Sequence, residues 1–225
     1  VHAVNQTTGK VFRHAPDFAN LPEDLQALVK VAGCCNHAKF KDPTDEDGNP
    51  IKDHIKPILS RDTNGDASES ALLKFAHSHT DIDALRKTYN EIACVPFNSA
   101  NKWMATIHRV VDAANKFKHY LLLVKGAPER VLERCEFMNN NMKMSAAAKK
   151  DIQAANDEVA ENGERVLAFA EAILDKKDGF VFNTDDIHNL NFKSDGLRFV
   201  GLLSLEDPPR EEVPNAVKLC HQAGI

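Results

Sequence analysis

A lysine beside a glycine and a proline stands near the middle of the chain, in the segment Lys-Gly-Ala-Pro-Glu at residues 125–129. The apolar run before it predicts a buried strand, so we expect the amine of Lys125 at the lip of a sheet. Gly126 has no Cβ, which lets a ligand or a second backbone come close. Pro128 suits the first turn of a helix, because its missing N–H would be unpaired there anyway. A cation beside bare backbone and a helix start suits an anion or the face of a flat ring. The spacing alone equally fits an ordinary strand-to-helix turn, because no Gly-x-x-x-x-Gly-Lys-Ser/Thr loop is present.

The segment Gly-Asp-Ala-Ser-Glu-Ser, at residues 65–70, opens a predicted helix and places two carboxylates three residues apart. This spacing is typical of a helix N-cap and its capping-box partner, with Asp66 as the cap and Glu69 as the partner. The Glu69 carboxylate could instead lie at the mouth of a pocket and accept a hydrogen bond from an exocyclic amine such as that of adenine. The spacing alone favours the cap.

An aromatic ring and two further cations stand where they could hold a charged ring compound. Phe97 follows the end of a predicted strand, and Lys102 comes five residues later. Isolated aromatic residues usually belong to the core, whereas the nearby cation favours a stacking site. Arg165 begins another predicted strand, and its planar guanidinium suits phosphate oxygens. A surface ion pair with Glu161 or Glu164, which would contribute little, is the alternative for Arg165.

The composition is that of an ordinary globular protein with a slight acidic excess. Of the 225 residues, 43% are hydrophobic and 27% are charged, and the chain is long enough to bury a sizeable core. The net charge of −5 argues against a general nucleic-acid binder, which would carry a basic excess. No apolar run approaches the roughly eighteen residues of a membrane span, and no signal peptide is recognisable. We therefore expect a domain that neither binds nucleic acid nor inserts into a membrane.

The cysteines indicate a reducing compartment and no metal centre. Their number is odd and no Cys-x-x-Cys pair occurs, which favours free thiols over disulfides for Cys34, Cys35, Cys94, Cys135 and Cys220. The cluster Cys34-Cys35-Asn36-His37 lacks a second ligand pair at the usual zinc spacing, so we interpret it as a buried helix end. The acidic segment 41–50 superficially resembles a calcium loop, but Pro43 and His54 stand where the first and last carboxylates belong. We interpret it as a solvated loop and assign no metal ligand.

Hydrophobic periodicity predicts helices and strands in alternation. A hairpin is favoured within residues 1–13, and strands are predicted at 91–95, 102–111, 118–124, 165–173 and 197–205. Helices are predicted from residue 20, from residue 67, over 81–89, over 145–162 and over 211–224. The short connection 112–117 makes the strands on either side of it antiparallel. The helix over 145–162 should face inward through Ile152, Ala155 and Val159, and Gly163 suits the position just after its end.

The order of the segments resembles that in type II P-type ATPases. That order is Gly-Asp-Ala-Ser-Glu-Ser, Pro-Phe-Asn-Ser, Lys-Gly-Ala-Pro-Glu-Arg, Gly-Glu-Arg-Val-Leu and Asp-Pro-Pro-Arg. The string Lys-Gly-Ala-Pro-Glu resembles a hallmark of the nucleotide-binding domain of these ion pumps. The resemblance runs from about residue 25 to residue 225, and the first twenty residues match poorly. The first of the five strings is more similar to the sodium/potassium and proton/potassium pump α-subunits than to calcium pumps.

This resemblance implies an α+β fold, with a twisted, mainly antiparallel β-sheet flanked by helices. It implies a domain that holds the adenosine of ATP and presents the γ-phosphate to an aspartate of a neighbouring domain. Residues 1–206 would be the nucleotide-binding domain, and residues 207–225 the hinge and the start of the returning phosphorylation domain, with Asp207 and Arg210 at the hinge. The family's Asp-Lys-Thr-Gly-Thr, Thr-Gly-Asp and Gly-Asp-Gly strings are missing from these residues. No catalytic residue is therefore assigned, and the chain alone should bind nucleotide without completing a turnover.

Matching the strings carries the family's nucleotide contacts onto eleven residues. By this resemblance Phe97 would stack on adenine and Glu69 would lie near its amino group. Lys102 and Lys125 would line the pocket, and Arg165 would reach the phosphates. The other six would admit backbone close to the base or shape the walls: Gly126, Ala127, Asp66, Ser68, Leu167 and Met104. Met104 stands where the sodium/potassium pumps commonly have Gln, so no side-chain amide is available there.

The resemblance also implies the surroundings of the domain. Its partners would be ATP and the phosphorylation and actuator domains of the same parent chain, with magnesium arriving only with ATP. The fragment would be a monomer on the cytoplasmic side of a membrane-embedded pump of the plasma membrane, and both of its ends look like positions inside a longer protein. One alternative is the same fold from a calcium or other type II pump. Another is a nucleotide-independent protein-interaction module that uses the acidic loop 41–50. A third, a self-contained hydrolase using Lys125 and Glu129, lacks an evident nucleophile–base pair.

Overall fold

An antiparallel sheet with helices against both of its faces forms the centre of the molecule. The computed structural model describes residues 2–4, 11–12, 21–42, 57–138, 141–206 and 212–224. The strands of this part are β1 (His2–Val4), β2 (Val11–Phe12), β3 (Lys39–Phe40), β4 (Thr63–Asn64), β5 (Asn90–Val95), β6 (Trp103–Val111), β7 (Phe117–Gly126), β8 (Cys135–Met138), β9 (Met142–Lys143), β10 (Arg165–Leu174) and β11 (Leu197–Leu205). The α-helices are α1 (Glu23–Cys34), α2 (Ala67–His77), α3 (Ile82–Thr88), α4 (Pro128–Arg134), α5 (Ala146–Glu161) and α6 (Val213–Gln222).

The main sheet has the strand order β2-β1-β11-β10-β7-β6-β5, and every neighbouring pair in this order is antiparallel. Strand β8 adds a parallel pairing with β11, β9 pairs with β8, and β3 and β4 form a separate ribbon. The arrangement confirms the predicted α+β class with a mainly antiparallel sheet. The predicted hairpin β1–β2 and the antiparallel pair β6–β7 are also confirmed.

Side-chain alternation along the strands divides the core into two layers. In β7, Leu121 and Leu123 belong to the layer that α1, α2 and α3 cover, which we call the first core. Tyr120, Leu122 and Val124 point to the opposite face and belong to the second core, which α4 covers. The side on which a strand residue falls therefore decides which helices it meets.

Two local expectations need correction, and a third is confirmed. Helix α5 has no buried residue, and Ala155 is exposed rather than inward. The reason is that α5 lies outside α4 and β10, so only its Ala148 and Ile152 reach the second core. Val131, Leu132 and Cys135 recur at helical spacing after Pro128, which predicts a helix through all three. Cys135 is instead the first residue of β8, and it is buried. The expectation for Gly163 is confirmed, because it follows α5 with a φ of +80°.

Some predictions fall outside the described residues. These are most of the acidic loop 41–50, and the hinge residues Asp207 and Arg210; the domain division at residue 206 likewise stays a prediction. Helix α6 begins at Val213 and is exposed along its whole length. Among the described helices, none combines the length and the hydrophobicity needed to cross a bilayer.

Candidate functional site

A cavity of about 750 Å³ lies where the first turn of α2 meets the start of β6, the end of β7 and the start of β10. All eleven residues singled out from the sequence line it: Asp66, Ser68, Glu69, Phe97, Lys102, Met104, Lys125, Gly126, Ala127, Arg165 and Leu167. Four further lining residues were missed: Ala67, Leu72, Ser99 and Val166. Ala67 and Val166 are adjacent in sequence to predicted residues, and Ser99 lies two residues after Phe97. Leu72 follows Glu69 by three residues on α2, a helical spacing that could have indicated it.

The position of Lys125 follows from the ladder of the sheet and differs from the prediction. Strand β7 runs one residue beyond it, because Gly126 still pairs with Trp103 and Ala168. Lys125 therefore lies inside the sheet and is buried, rather than standing at its lip. Its ladder partners are Met104 on β6 and Phe169 on β10. By alternation its side chain points to the face that carries the first core, directly toward α2.

The first turn of α2 supplies the partner of this buried cation. The Glu69 carboxylate lies 2.7 Å from the Lys125 amine, and the two side chains are 15% and 8% exposed. The predicted N-cap is also confirmed, because the Asp66 carboxylate accepts a hydrogen bond from the Glu69 backbone N–H at 2.9 Å. Glu69 thus takes part in the cap through its backbone while its side chain is turned into the cavity. The cap by Asp66 is therefore confirmed, the Glu69 side chain does not complete a capping box, and its contact with a ligand amine stays a prediction.

The close backbone approach expected at Gly126 occurs, and the neighbour is the chain itself. A Cβ on Gly126 would lie 2.5 Å from the Lys102 carbonyl oxygen and 2.7 Å from the Trp103 Cα. The same Lys102 carbonyl accepts a hydrogen bond from the Ala127 N–H at 2.9 Å. Lys102 itself has a φ of +60°, in the left-handed region, which ends the turn closed by its N–H and the Asn98 carbonyl. The bare backbone at Gly126 therefore lets the wall carrying Lys102 close against β7.

The remaining predicted residues lie at the open side of the cavity. Phe97 is 61% exposed and belongs to neither core, so its ring is available as a platform. The Arg165 guanidinium donates to the Ser68 hydroxyl at 3.0 Å, a contact across the cavity that neither alternative for Arg165 anticipated. The Lys102 amine lies 3.7 Å from the Glu129 carboxylate, and both side chains are about half exposed. The hydrolase alternative paired Glu129 with Lys125, but each of them has a different partner.

The charges of the cavity are arranged by depth. The Glu69–Lys125 ion pair, whose opposite charges cancel, lies at the inner end of the cavity. The exposed cations Lys102 and Arg165 lie nearer to solvent. Behind the inner wall, Cys35 donates weakly to the Met104 carbonyl at 4.0 Å. Burial raises the pKa of the Cys35 thiol to about 11, so the thiol is neutral at physiological pH. The arrangement can hold a flat ring at Phe97, accept from a polar ring edge at Glu69, and attract an anionic tail to the two outer cations.

The sequence model of the protein family described as P-type ATPase, cytoplasmic domain N, matches residues 24–212 of the chain. The chain belongs to this family. Among the relatives of the N domain, the sodium/potassium-transporting ATPase subunit alpha of Drosophila melanogaster is 46% identical over 208 residues, which cover 89% of this chain and 19% of that protein. Subunit alpha-B of Artemia franciscana is 44% identical over 207 residues, with the same coverage of both chains. Subunit alpha-4 of Rattus norvegicus is 41% identical over 226 residues, which cover 98% of this chain and 20% of the relative.

The N domain spans about a fifth of the length of these relatives. The match confirms the resemblance drawn from the five strings, and the relatives agree with the preference for the sodium/potassium type over calcium pumps. The segments that carry those strings are far apart in sequence, yet four of them converge on one cavity of the N domain. This convergence arises because α2, β6, β7 and β10 all present one end to the same edge of the molecule.

Proposed function

We propose that this N domain binds ATP in the cavity between α2 and the sheet, as the ATP-binding cytoplasmic domain of a sodium/potassium-type cation pump. The observation that carries the proposal is that all eleven residues, nine from four separate strings and two, Lys102 and Met104, from the segment after the second string, line this one cavity. Its volume of about 750 Å³ lies within the range of small-molecule sites. Family membership and the printed names of the relatives support the assignment to an ATP-driven pump.

In this proposal the adenine ring stacks on Phe97, whose exposed face is free of core packing. Its amino group donates to the Glu69 carboxylate. One oxygen of that carboxylate is held by Lys125, and a carboxylate can accept from a second donor. The phosphates extend toward Arg165 and Lys102, whose positive charges lie on the open side. The separation of these parts lets the ring and the tail be recognised independently.

The proposal extends to the whole protein of which this chain is a piece. The domain would present the γ-phosphate to an aspartate of a neighbouring phosphorylation domain, and an actuator domain of the same chain would be its other partner. Magnesium would enter only as a complex with ATP; among the residues that the structure describes, the group of possible metal ligands, His37, Glu91 and Cys94, lies outside this cavity. The parent would be a membrane-embedded translocase whose N domain faces the cytoplasm.

The test is a calorimetric titration of the 225-residue chain with ATP and, separately, with adenosine. Removing the Phe97 ring should weaken both ligands, because stacking on a base contributes about 1–3 kcal/mol, or about 5- to 150-fold in Kd. Arg165→Ala should weaken ATP and leave adenosine unchanged, since the arginine is assigned to the phosphates. Ile173→Ala, an exposed apolar residue on β10 outside the cavity, is the control for surface truncation.

Two results would contradict the proposal. The first is a Phe97→Ala chain that binds ATP as well as the parent. The second is a strict magnesium requirement for binding, since no metal ligand is assigned in the cavity. Because Phe97 and Arg165 are exposed, neither substitution should unfold the domain, and a circular dichroism spectrum checks this.

A further inference from the structure

A histidine, a glutamate and a cysteine that could bind a metal ion lie close together on the first-core face of the sheet. None of them lines the cavity proposed for ATP, which we call the ATP cavity. The three residues are His37, which follows α1, and Glu91 and Cys94 on β5. One ligand atom from each residue lies within 4.8 Å of the others. The His37 Nε2 is 2.9 Å and 3.1 Å from the two Glu91 carboxylate oxygens. A cavity of about 360 Å³, lined by His37 and Glu91 among others, opens beside them.

An irregularity in β5 places Glu91 and Cys94 together. Residues three apart on a regular strand point to opposite faces of a sheet. Here Glu91 pairs with His108 and Cys94 pairs with Thr106, so Ile92 is an extra residue in the ladder. Because His108 and Thr106 are two residues apart on β6, their partners share one face. This bulge turns the thiol and the carboxylate to the same side, as bulges beside functional sites often do.

The chain segment that carries His37 is held in place by other contacts. The Arg86 guanidinium donates to the carbonyl oxygens of Gly33, Asn36 and Ala38, at 3.0, 2.7 and 2.9 Å. The Asn36 side chain is buried, donates to the Ala32 and Glu69 carbonyls, and accepts from the Ala38 N–H. The backbone on both sides of His37 is therefore fixed, while its imidazole is half exposed and directed toward β5. A site is more precise when its supporting residues are themselves fixed.

The ligand set identifies the class of ion. Imidazole nitrogen and thiolate sulfur together suit Zn²⁺, whereas Mg²⁺ and Ca²⁺ take oxygen ligands. Zinc–ligand bonds of about 2.0–2.3 Å place neighbouring ligand atoms of a tetrahedron roughly 3.3–3.7 Å apart, so the three atoms need only small movements to close around an ion. A plain surface ion pair explains His37 and Glu91 but leaves unexplained why the bulge brings the thiol to the same place.

We propose that His37, Glu91 and Cys94 form a Zn²⁺ site of the N domain, with a fourth position open to solvent. On binding, the Cys94 sulfur bonds to the metal and its proton leaves to water, while the neutral imidazole and the carboxylate donate lone pairs. Thiolate and carboxylate together balance the charge of the ion. The site does not depend on the ATP proposal, because none of its ligands lines the ATP cavity.

The test uses the metal-free, reduced 225-residue chain without nucleotide. Zinc affinity is measured by competition with a chromophoric chelator, and Co²⁺ is added to separate samples to detect the thiolate-to-cobalt charge-transfer band. The variants are Cys94→Ser, His37→Gln and Glu91→Gln. The matched control is the double variant Cys220→Ser/His221→Gln, which removes an exposed thiol and imidazole on α6.

We expect one equivalent of zinc to bind, and each ligand variant to bind about 100-fold or more weakly, since even partners outside the ligand set cost about 10- to 100-fold. The cobalt band should vanish in Cys94→Ser and persist in the control. A band that survives Cys94→Ser, or is lost only in the control, would overturn the site. Equal zinc affinity of the parent and all three ligand variants would do the same. Urea unfolding of each variant shows whether a loss of binding reflects a loss of fold.

Discussion

The buried Glu69–Lys125 pair is the feature whose removal the structure predicts most sharply. The replacement Lys125→Met leaves the Glu69 carboxylate without its cation at a position where it is only 15% exposed. Glu69→Gln removes the charge from the other side and leaves the ammonium of Lys125 in the interior. We expect each single variant to be less stable than the parent, and the double variant to be more stable than the sum of the two losses implies.

The magnitude follows from the burial of the two groups. Breaking a fully buried pair by removing one partner costs about 3–5 kcal/mol, because an uncompensated charge remains. The cavity is open to solvent on one side, which lowers our value to about 2–3 kcal/mol for each single variant. At this chain length such a loss lowers Tm by roughly 4–12 °C. We expect the coupling free energy of the double-mutant cycle to be about 1–3 kcal/mol.

The assay is urea unfolding followed by the emission of Trp103, which is 1% exposed in the folded chain. The control is Glu129→Gln, which removes the same kind of partner from Lys102. That pair is 3.7 Å apart and about half exposed, so its loss should cost about 0.5 kcal/mol or less. The reasoning fails if the Lys125 and Glu69 variants match this control. It also fails if their two losses simply add.

Two further predictions follow from backbone geometry and from the thiols. Gly126→Ala should cost about 2–3 kcal/mol of stability, because its Cβ would lie 2.5 Å from a backbone carbonyl oxygen. Gly163→Ala should cost only about 1–2 kcal/mol, because the space around Gly163 is open and the strain comes from its φ of +80° alone. Urea unfolding compares the stabilities of the two variants. A larger loss for Gly163→Ala than for Gly126→Ala would contradict the predicted clash at Gly126. At pH 8 a chromogenic disulfide should react quickly with one thiol of the native chain, the exposed Cys220. Burial raises the pKa of Cys34, Cys94 and Cys135 to about 12 and that of Cys35 to about 11, so these four stay protonated and react only on unfolding. Two or more fast equivalents would contradict this.

Much of the fold could be predicted because its strands carry long apolar runs. The bounds of β11 agree with the prediction to the residue, and β6 differs by one. Strands that are buried on both faces carry continuous apolar runs, which a local pattern can detect. The end of α5 could also be predicted, because Gly163 follows it with a positive φ. The prediction failed where neighbours decide the outcome. Strand β7 includes Lys125 and Gly126 because β6 and β10 extend alongside them, which a local pattern does not report.

The residues that line the cavity between α2 and the sheet could be predicted only through the family strings. Spacing alone favoured an N-cap for Asp66 and left a core position open for Phe97 and a surface ion pair open for Arg165. Of these three, the cap is present, whereas Phe97 is exposed and Arg165 donates to Ser68. The pairing of Glu69 with Lys125 joins positions 56 residues apart, and no local spacing indicates it. The proposed zinc site was even harder to predict from the sequence, because Glu91 and Cys94 share a face only through one extra residue in the β5–β6 ladder. His37 was considered for zinc with its sequence neighbours, whereas its partners lie on β5.

Under the proposed ATP binding, the Glu69–Lys125 pair would let one cavity receive both a polar ring and an anionic tail. The Lys125 amine lies 2.7 Å from the Glu69 carboxylate and offsets its negative charge toward the rest of the cavity. The field at the open side is then set by Lys102 and Arg165, without repulsion from the inner carboxylate. Asn36, which follows α1, donates to the carbonyls of Ala32 and Glu69 and so holds the first turn of α2 against the end of α1, and the residue that carries the inner carboxylate is fixed by the same contacts that stabilise the fold.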